Sequence, residues 1–268
     1  MPTFQQDHIV LNYQVFGTGD TNIIAFHGFG KTSNDYAMFK EYFGAKYKVF
    51  AVDLFYHGKT KIDGRKIRAF SKQDLNTFFQ AFIEHLGINK FEVMGYSMGG
   101  RVALFFLEQF ASQIDKMYLL APDGLKKEFW NWLVTNTKTG KNLYGFTIHH
   151  PAWVKTAVSA GKKFKMLPDK IDKFLDISFG TKGARLRVYR VWKLYKHIGF
   201  DVDALTTLAK SNQIQFEIVV GKKDPVVSPK LCQEFHKQIG ENSKFHLIQA
   251  GHDLFKPHAI KYIGEKVL

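Results

Sequence analysis

Short apolar runs recur along this chain, separated by stretches whose apolar residues repeat at helical spacing. That alternation limits the fold more than any other feature. Asn22–His27 (NIIAFH), Lys48–Asp53 (KVFAVD), Phe91–Gly95 (FEVMG), Met117–Ala121 (MYLLA) and Gln215–Gly221 (QFEIVVG) are too short for helices. They are apolar on both sides of the pleat, as strands covered on both faces must be. Ile9–Phe16 alternates instead, with Ile9, Leu11, Tyr13 and Val15 on one face, and Phe245–Gln249 reads as the last strand. Between strands, Leu75, Phe78, Phe79, Phe82, Ile83 and Leu86 recur at three and four, one face of a helix. Ser71 is placed to cap that helix, Asp74 completes the box, and Gly87 ends it. Helical spacing also covers Asn34–Phe43, Gly99–Phe110, Pro229–Gly240 (capped by Ser228) and Leu254–Leu268. Strands alternating with helices predict an α/β fold with a mostly parallel sheet covered on both faces.

The alternation breaks between Asp123 and Asp203, which reads mainly helical. Residues 1–122 and 204–268 are therefore expected to form the core domain, and 123–203 an inserted helical cap, or lid. The net charge of +14 is segregated in the same way: Lys126–Phe200 holds 16 Lys and Arg against 4 Asp and Glu. Along Gly183–Gly199, Val188, Val191, Trp192, Leu194, Tyr195 and Ile198 fall on one arc, and Arg185, Arg190, Lys193 and Lys196 on another. A cationic surface of this kind attracts acidic substrates, phosphates or an anionic membrane surface, or is simply solvated. It carries no recognised nucleic-acid motif, so no nucleic-acid partner is expected. No apolar run reaches the roughly 18–20 residues of a membrane span, and Met1–His8 lacks the pattern of a signal peptide. Cys232 is the only cysteine, which excludes an intrachain disulfide and makes a cytoplasmic location the expectation.

The chemistry concentrates in Gly95-Tyr96-Ser97-Met98-Gly99-Gly100, a G-x-S-x-G pattern between a strand and a helix. A serine on so sharp a turn projects its hydroxyl above the sheet, and glycines two residues away on each side remove the side chains that would collide there. The following helix points its positive end at the place where negative charge develops. A serine hydroxyl needs a base, and the base an orienting acid. His252, in Gly251-His252-Asp253 after the last strand, is the best-placed base. His236 and His258 lie in helices, His246 in a strand, and His149, His150 and His197 in the insertion. Asp224, in Gly221-Lys222-Lys223-Asp224-Pro225 past the preceding strand, is the favoured acid, with Asp123 the alternative. Asp253 adjoins the histidine in sequence and reads as structural. The oxyanion formed in acyl transfer needs preorganised N–H donors. Met98, following the nucleophile, and Phe29, in His27-Gly28-Phe29-Gly30, are the candidates; His27 reads as a prop for that loop.

Together, HGFG (27–30), GYSMGG (95–100), GKKDP (221–225) and GH (251–252), in this order, resemble the α/β-hydrolase superfamily over nearly the whole chain. The resemblance implies an eight-stranded sheet, a helical lid at about 123–203, the triad Ser97, Asp224 and His252, and no cofactor or metal. Asp53–Gly58 resembles the superfamily's D-x-P-G-H-G turn, with Phe55 and Tyr56 in place of Pro-Gly. Ser97 as nucleophile argues against haloalkane dehalogenase or epoxide hydrolase chemistry, which uses an aspartate. The expected activity is cleavage of a small-molecule carboxylic ester through an acyl-serine intermediate. The insertion is rich in aromatic residues (Phe129, Trp130, Trp132, Phe146, Trp153, Phe164, Phe174, Phe179, Trp192), which suits an apolar acyl or alkyl group. Two alternatives stand beside it. GYSMGGR is also similar to the menaquinone-pathway synthase, a lyase on this fold that holds an acidic substrate with arginines, a role open to Arg101. The other alternative is a receptor that binds without catalysis.

Overall fold

The computed structural model describes residues 1–63, 69–126, 129–150, 152, 156, 159–160 and 179–268, without the side chains of 129–131. Of the aromatic residues expected to line the insertion, Trp153, Phe164, Phe174 and the side chains of Phe129 and Trp130 lie outside the described residues.

The sheet has nine strands: β1 (Thr3–Gln6), β2 (Ile9–Phe16), β3 (Thr21–Phe26), β4 (Tyr47–Val52), β5 (Lys61–Ile62), β6 (Phe91–Tyr96), β7 (Ile114–Leu120), β8 (Gln215–Gly221) and β9 (Ser243–Ile248). Their order is β1-β2-β4-β3-β6-β7-β8-β9, with β5 paired to β2. The run from β4 to β9 is parallel throughout; β1 and β5 lie antiparallel to β2, and β2 antiparallel to β4. The resemblance implies eight strands and the sequence pattern marks seven; the two that the pattern does not reveal, β1 and β5, are four and two residues long. In β1 only Phe4 is buried, so no periodicity marks it.

The central strands are buried almost end to end because both faces are covered. The helices of this part are α1 (Lys40–Phe43), α2 (Lys72–Leu86) and α3 (Met98–Phe110). A 3₁₀ helix, Ser33–Phe39, occupies most of the stretch expected to be one α-helix. Phe78, Phe79 and Phe82 of α2 face inward, as their spacing requires, and Phe79 meets Phe26 of β3 and Phe106 of α3 at ring-centroid distances of 5.9 and 5.0 Å. The chain leaves β3 toward β4 on one side and later returns to form β6 on the other. In an open parallel sheet that reversal opens a crevice at the carboxyl ends of the two strands. HGFG follows β3 and GYSMGG follows β6, so both motifs end at this crevice.

Near the amino end of β8, at the opposite side of the sheet, Glu217 is buried. Its Oε2 lies 2.7 Å from His246 Nε2 and its Oε1 3.3 Å from Lys116 Nζ. Burial pushes the Glu217 carboxyl up, but His246 and Lys116 outweigh it and hold it below its ordinary value.

The chain divides into two compact units, one of residues 1–63, 73–126 and 199–268, the other of 64–72 and 127–198. The second contains α4 (Phe129–Asn136), α5 (Lys138–His149) and α6 (Lys182–Leu194). Val188, Val191, Leu194, Tyr195 and Ile198 are buried, as the wheel predicts. Arg185 is not on a solvated cationic arc: it is 3% exposed. Its Nε and Nη2 donate to the Ile148 carbonyl at 3.2 and 3.1 Å and its Nη1 to that of Phe179 at 2.6 Å. Tyr144 of α5 donates to the Arg185 carbonyl at 3.0 Å, so the guanidinium and the tyrosine lock α5 to α6. The first unit completes itself with α7 (Val202–Ser211), α8 (Pro229–Ile239) and α9 (Pro257–Lys266). Pro229 takes the first turn of α8, but the expected cap, Ser228, makes no side-chain capping bond. Among the described residues, no helix is long and apolar enough to cross a membrane.

Candidate active site

Ser97 sits between β6 and α3 at φ 50°, ψ −116°, a region that a residue with a Cβ enters only under strain, at a cost of about 1–3 kcal/mol. Backbone bonds hold it there. Its amide donates to Leu120 O (2.9 Å), and its carbonyl accepts from Gly100 N (2.8 Å) and Asp123 N (2.9 Å). The flanking glycines are needed for space. A Cβ on Gly99 would run into the Phe26 carbonyl, one on Gly95 would meet Gly99 O at 2.5 Å, and one on Gly100 would meet Pro122 Cα at 2.5 Å.

Asp224 follows β8 and His252 follows β9. Their loops are stitched together by main-chain bonds: Lys222 N donates to Ile248 O (2.8 Å) and Lys223 N to Ala250 O (3.0 Å). Gly221 permits this approach, because a Cβ there would meet Ala250 O at 2.6 Å. The Asp224 side chain is fully buried. Its Oδ1 accepts from the amides of Val226 (2.8 Å) and Val227 (2.9 Å), which leaves Oδ2 to His252 Nδ1 at 2.8 Å. The other ring nitrogen, His252 Nε2, lies 2.8 Å from Ser97 Oγ. With its proton on Nδ1, the imidazole donates to Asp224 and accepts from the serine hydroxyl. The three residues singled out in the sequence thus form one hydrogen-bonded chain.

The loop after β3 lies against the serine: a Cβ on Gly28 would come within 3.1 Å of Ser97 Cβ. Among the described residues, neither the Phe29 amide nor the Met98 amide has a hydrogen-bond acceptor. His27 is completely buried. Its Nε2 accepts from Leu54 N (3.0 Å), so Nδ1 carries the proton and donates to Gly28 O (2.7 Å). Burial holds the His27 imidazole below its usual pKa, which keeps it in this neutral form. Pinning the Gly28 carbonyl also fixes the Phe29 N–H, which points the opposite way across a trans peptide.

A sequence model of the alpha/beta hydrolase fold matches residues 21–259. The chain belongs to the α/β-hydrolase family. It is 21% identical over 255 residues to the uncharacterized hydrolase YugF of Bacillus subtilis, covering 93% of this chain and 90% of that one. It is 25% identical over 170 residues to the dihydrolipoyllysine-residue acetyltransferase component of the acetoin cleaving system of Pseudomonas putida; the match takes in 63% of this chain and only 40% of that protein's length. In three dimensions it resembles a thermophilic esterase from Thermogutta terrifontis, with a TM-score of 0.69, 17% identity and coverage of 96% and 92% of the two chains. At that identity the likeness shows the fold alone.

In this α/β hydrolase the alternative acid is occupied elsewhere. Asp123 takes a two-pronged bond from Arg101, Nε to Oδ2 at 2.9 Å and Nη2 to Oδ1 at 3.0 Å. The turn at Asp53–Gly58 is held by the Asp53 carboxylate. Tyr56, standing where the superfamily has glycine, adopts φ 63°. Asp53 accepts from Ser33 N (2.7 Å), Lys59 N (2.7 Å) and Asn12 Nδ2 (2.8 Å). Burial pushes its carboxyl up, but the Lys59 and Ser33 amides outweigh that and hold it below its usual pKa. Two contributors had no separate signal in the sequence. Tyr96 donates to the His252 carbonyl at 2.9 Å, and Lys31 lies 3.6 Å from Asp253.

Proposed function

We propose that this α/β hydrolase cleaves a carboxylic ester through an acyl-serine intermediate. The observation that carries the proposal is the unbroken chain from Ser97 Oγ through His252 to Asp224, with 2.8 Å at each link. In this reading Ser97 Oγ attacks the ester carbonyl as its proton passes to His252 Nε2. The Asp224 carboxylate orients the ring and stabilises the imidazolium that forms. The amides of Phe29 and Met98 receive the oxyanion; each such donor is worth about 3–4 kcal/mol to the barrier. Collapse of the tetrahedral intermediate expels the alcohol, which takes the proton from His252. Water, deprotonated by the same imidazole, then attacks the acyl-serine and releases the acid.

The pairing of Arg101 with Asp123 favours hydrolysis over the lyase reading, since it engages the guanidinium that would hold an acidic substrate. The aromatic composition of 123–203 is what suggests an apolar acyl or alkyl group in the ester. Contact with an anionic membrane surface rests on the charge of that segment alone. The test is turnover of p-nitrophenyl esters graded by chain length. Ser97→Ala should abolish it while the chain stays folded; turnover retained by that variant rejects the assigned nucleophile.

A further inference from the structure

The His252 loop springs from β9, the edge strand of the sheet, and must be held over a serine two strands further in than β8. On the acid side, main-chain bonds tie it to the Asp224 loop. On the nucleophile side the ties are side chains. Tyr96, the residue before the nucleophile, is 4% exposed, and its hydroxyl donates to the His252 carbonyl at 2.9 Å. Its ring lies flush on the oxyanion loop, where a Cβ on Gly28 would come within 2.7 Å of two ring carbons. The same ring packs 5.0 Å from Phe255 and 5.6 Å from the His252 imidazole. One aromatic side chain thus touches the strand that presents the serine, the loop that presents the Phe29 amide and the loop that presents the base.

Lys31 adds a second tie one residue beyond HGFG. Its amide donates to Gly28 O (3.2 Å), and its ammonium lies 3.3 Å from Asp35, 3.6 Å from Asp253 and 4.7 Å above the Phe255 ring. Asp253 is the immediate neighbour of the base, and its Oδ1 also accepts from Phe255 N at 3.2 Å, so the cation grips a turn that is already braced. Burial, together with the charges of Asp253 and Asp224, raises the Tyr96 phenol well above its usual pKa, so its proton stays available to the His252 carbonyl.

We propose that Tyr96 and Lys31 are positioning residues that clamp the histidine loop to the oxyanion loop, so that His252 Nε2 is held within hydrogen-bond reach of Ser97 Oγ. Neither touches the reacting atoms; both act through where the imidazole sits. The consequence for rate rests on the acyl-serine reading, because only proton transfer from Ser97 makes that distance matter.

The experiment measures the second-order rate at which a fluorophosphonate labels Ser97, with p-nitrophenyl ester turnover where the parent shows it. Tyr96→Phe keeps the ring and loses only the hydroxyl. It should label about 10-fold more slowly, since small misplacements of reacting groups cost rate steeply. Lys31→Met should slow labelling about threefold, as befits a partly exposed ion pair, and Lys31→Arg should restore it. Each effect should fall on kcat with KM unchanged. In Tyr96→Phe the downfield proton resonance of the His252–Asp224 bond should broaden. Lys90→Met, which breaks an exposed pair with Asp115 at the far end of β6, serves as a control and should leave the rate alone. If Tyr96→Phe does not fold, the two Lys31 variants carry the test. Parent-like labelling by both Tyr96→Phe and Lys31→Met overturns the clamp. A parent chain that does not label at all overturns the acyl-serine reading itself, a separate outcome.

Discussion

Replacing Asp224 by asparagine isolates the role of one buried carboxylate, because the structure dictates how the new side chain must lie. Oδ1 of Asp224 receives two main-chain amides, from Val226 at 2.8 Å and Val227 at 2.9 Å. An asparagine must put its carbonyl oxygen there, since turning its NH₂ toward two N–H groups would leave buried donors facing donors. Its NH₂ then faces His252 Nδ1, which currently lies 2.8 Å from Oδ2. The imidazole must answer with a lone pair, which moves its proton to Nε2, the atom facing Ser97. The ring then cannot accept the serine proton. In a serine protease the same tautomer error lowers kcat by about 10⁴, or about 5.5 kcal/mol on the barrier. Because the substitution is nearly isosteric and keeps both main-chain bonds, the folded state should survive. Asp224→Asn should therefore label with fluorophosphonate about 10⁴-fold more slowly than the parent, with thermal unfolding little changed. A variant within about tenfold of the parent rate would refute the argument that Asp224 sets the tautomer.

Two further perturbations test the architecture. Arg185→Met should lower stability by about 2–3 kcal/mol, because it removes charge-assisted bonds to the Ile148 and Phe179 carbonyls inside the second unit. Hydrogen exchange of the α5 and α6 amides measures it, and unchanged protection would contradict the role. Glu217 has a folded-state pKa held below its ordinary 4.5, so its contribution is complete above that value and is lost as pH falls through the lowered one. Glu217→Gln should flatten the fall in stability below about pH 4.5; denaturant midpoints across that range check it, and an unchanged acid slope would count against it.

Much of this could be read from the residues in order. The uniformly apolar runs of β3, β4, β6, β7 and β8 announce strands buried on both faces, and the three-four spacing of Leu75 to Leu86 announces α2, because burial and hydrogen bonding act locally on each of these segments. The elbow was legible in part for the same reason: Gly95 answers clashes with Gly99 O and Ala103 Cβ, close by in the chain, whereas Gly99 and Gly100 make room for Phe26 and Pro122, which the fold brings in from a distance. What escaped were features whose cause lies elsewhere in the chain. β1 and β5 exist only because β2 offers them an edge. Arg185 looks like one more surface cation until Ile148 and Phe179 supply carbonyls for it.

The residues in order reveal which functional groups this protein possesses and how they follow one another: a serine on a glycine-flanked turn, a carboxylate beside a proline, an imidazole after the last strand. Tertiary structure alone decided their distances. His252 lies 155 residues from Ser97 and 28 from Asp224, yet 2.8 Å separates the bonded atoms in each pair. Order along a chain carries no metric across such gaps. The register of parallel strands, the approach that Gly221 permits and the grip of Tyr96 and Lys31 supply it.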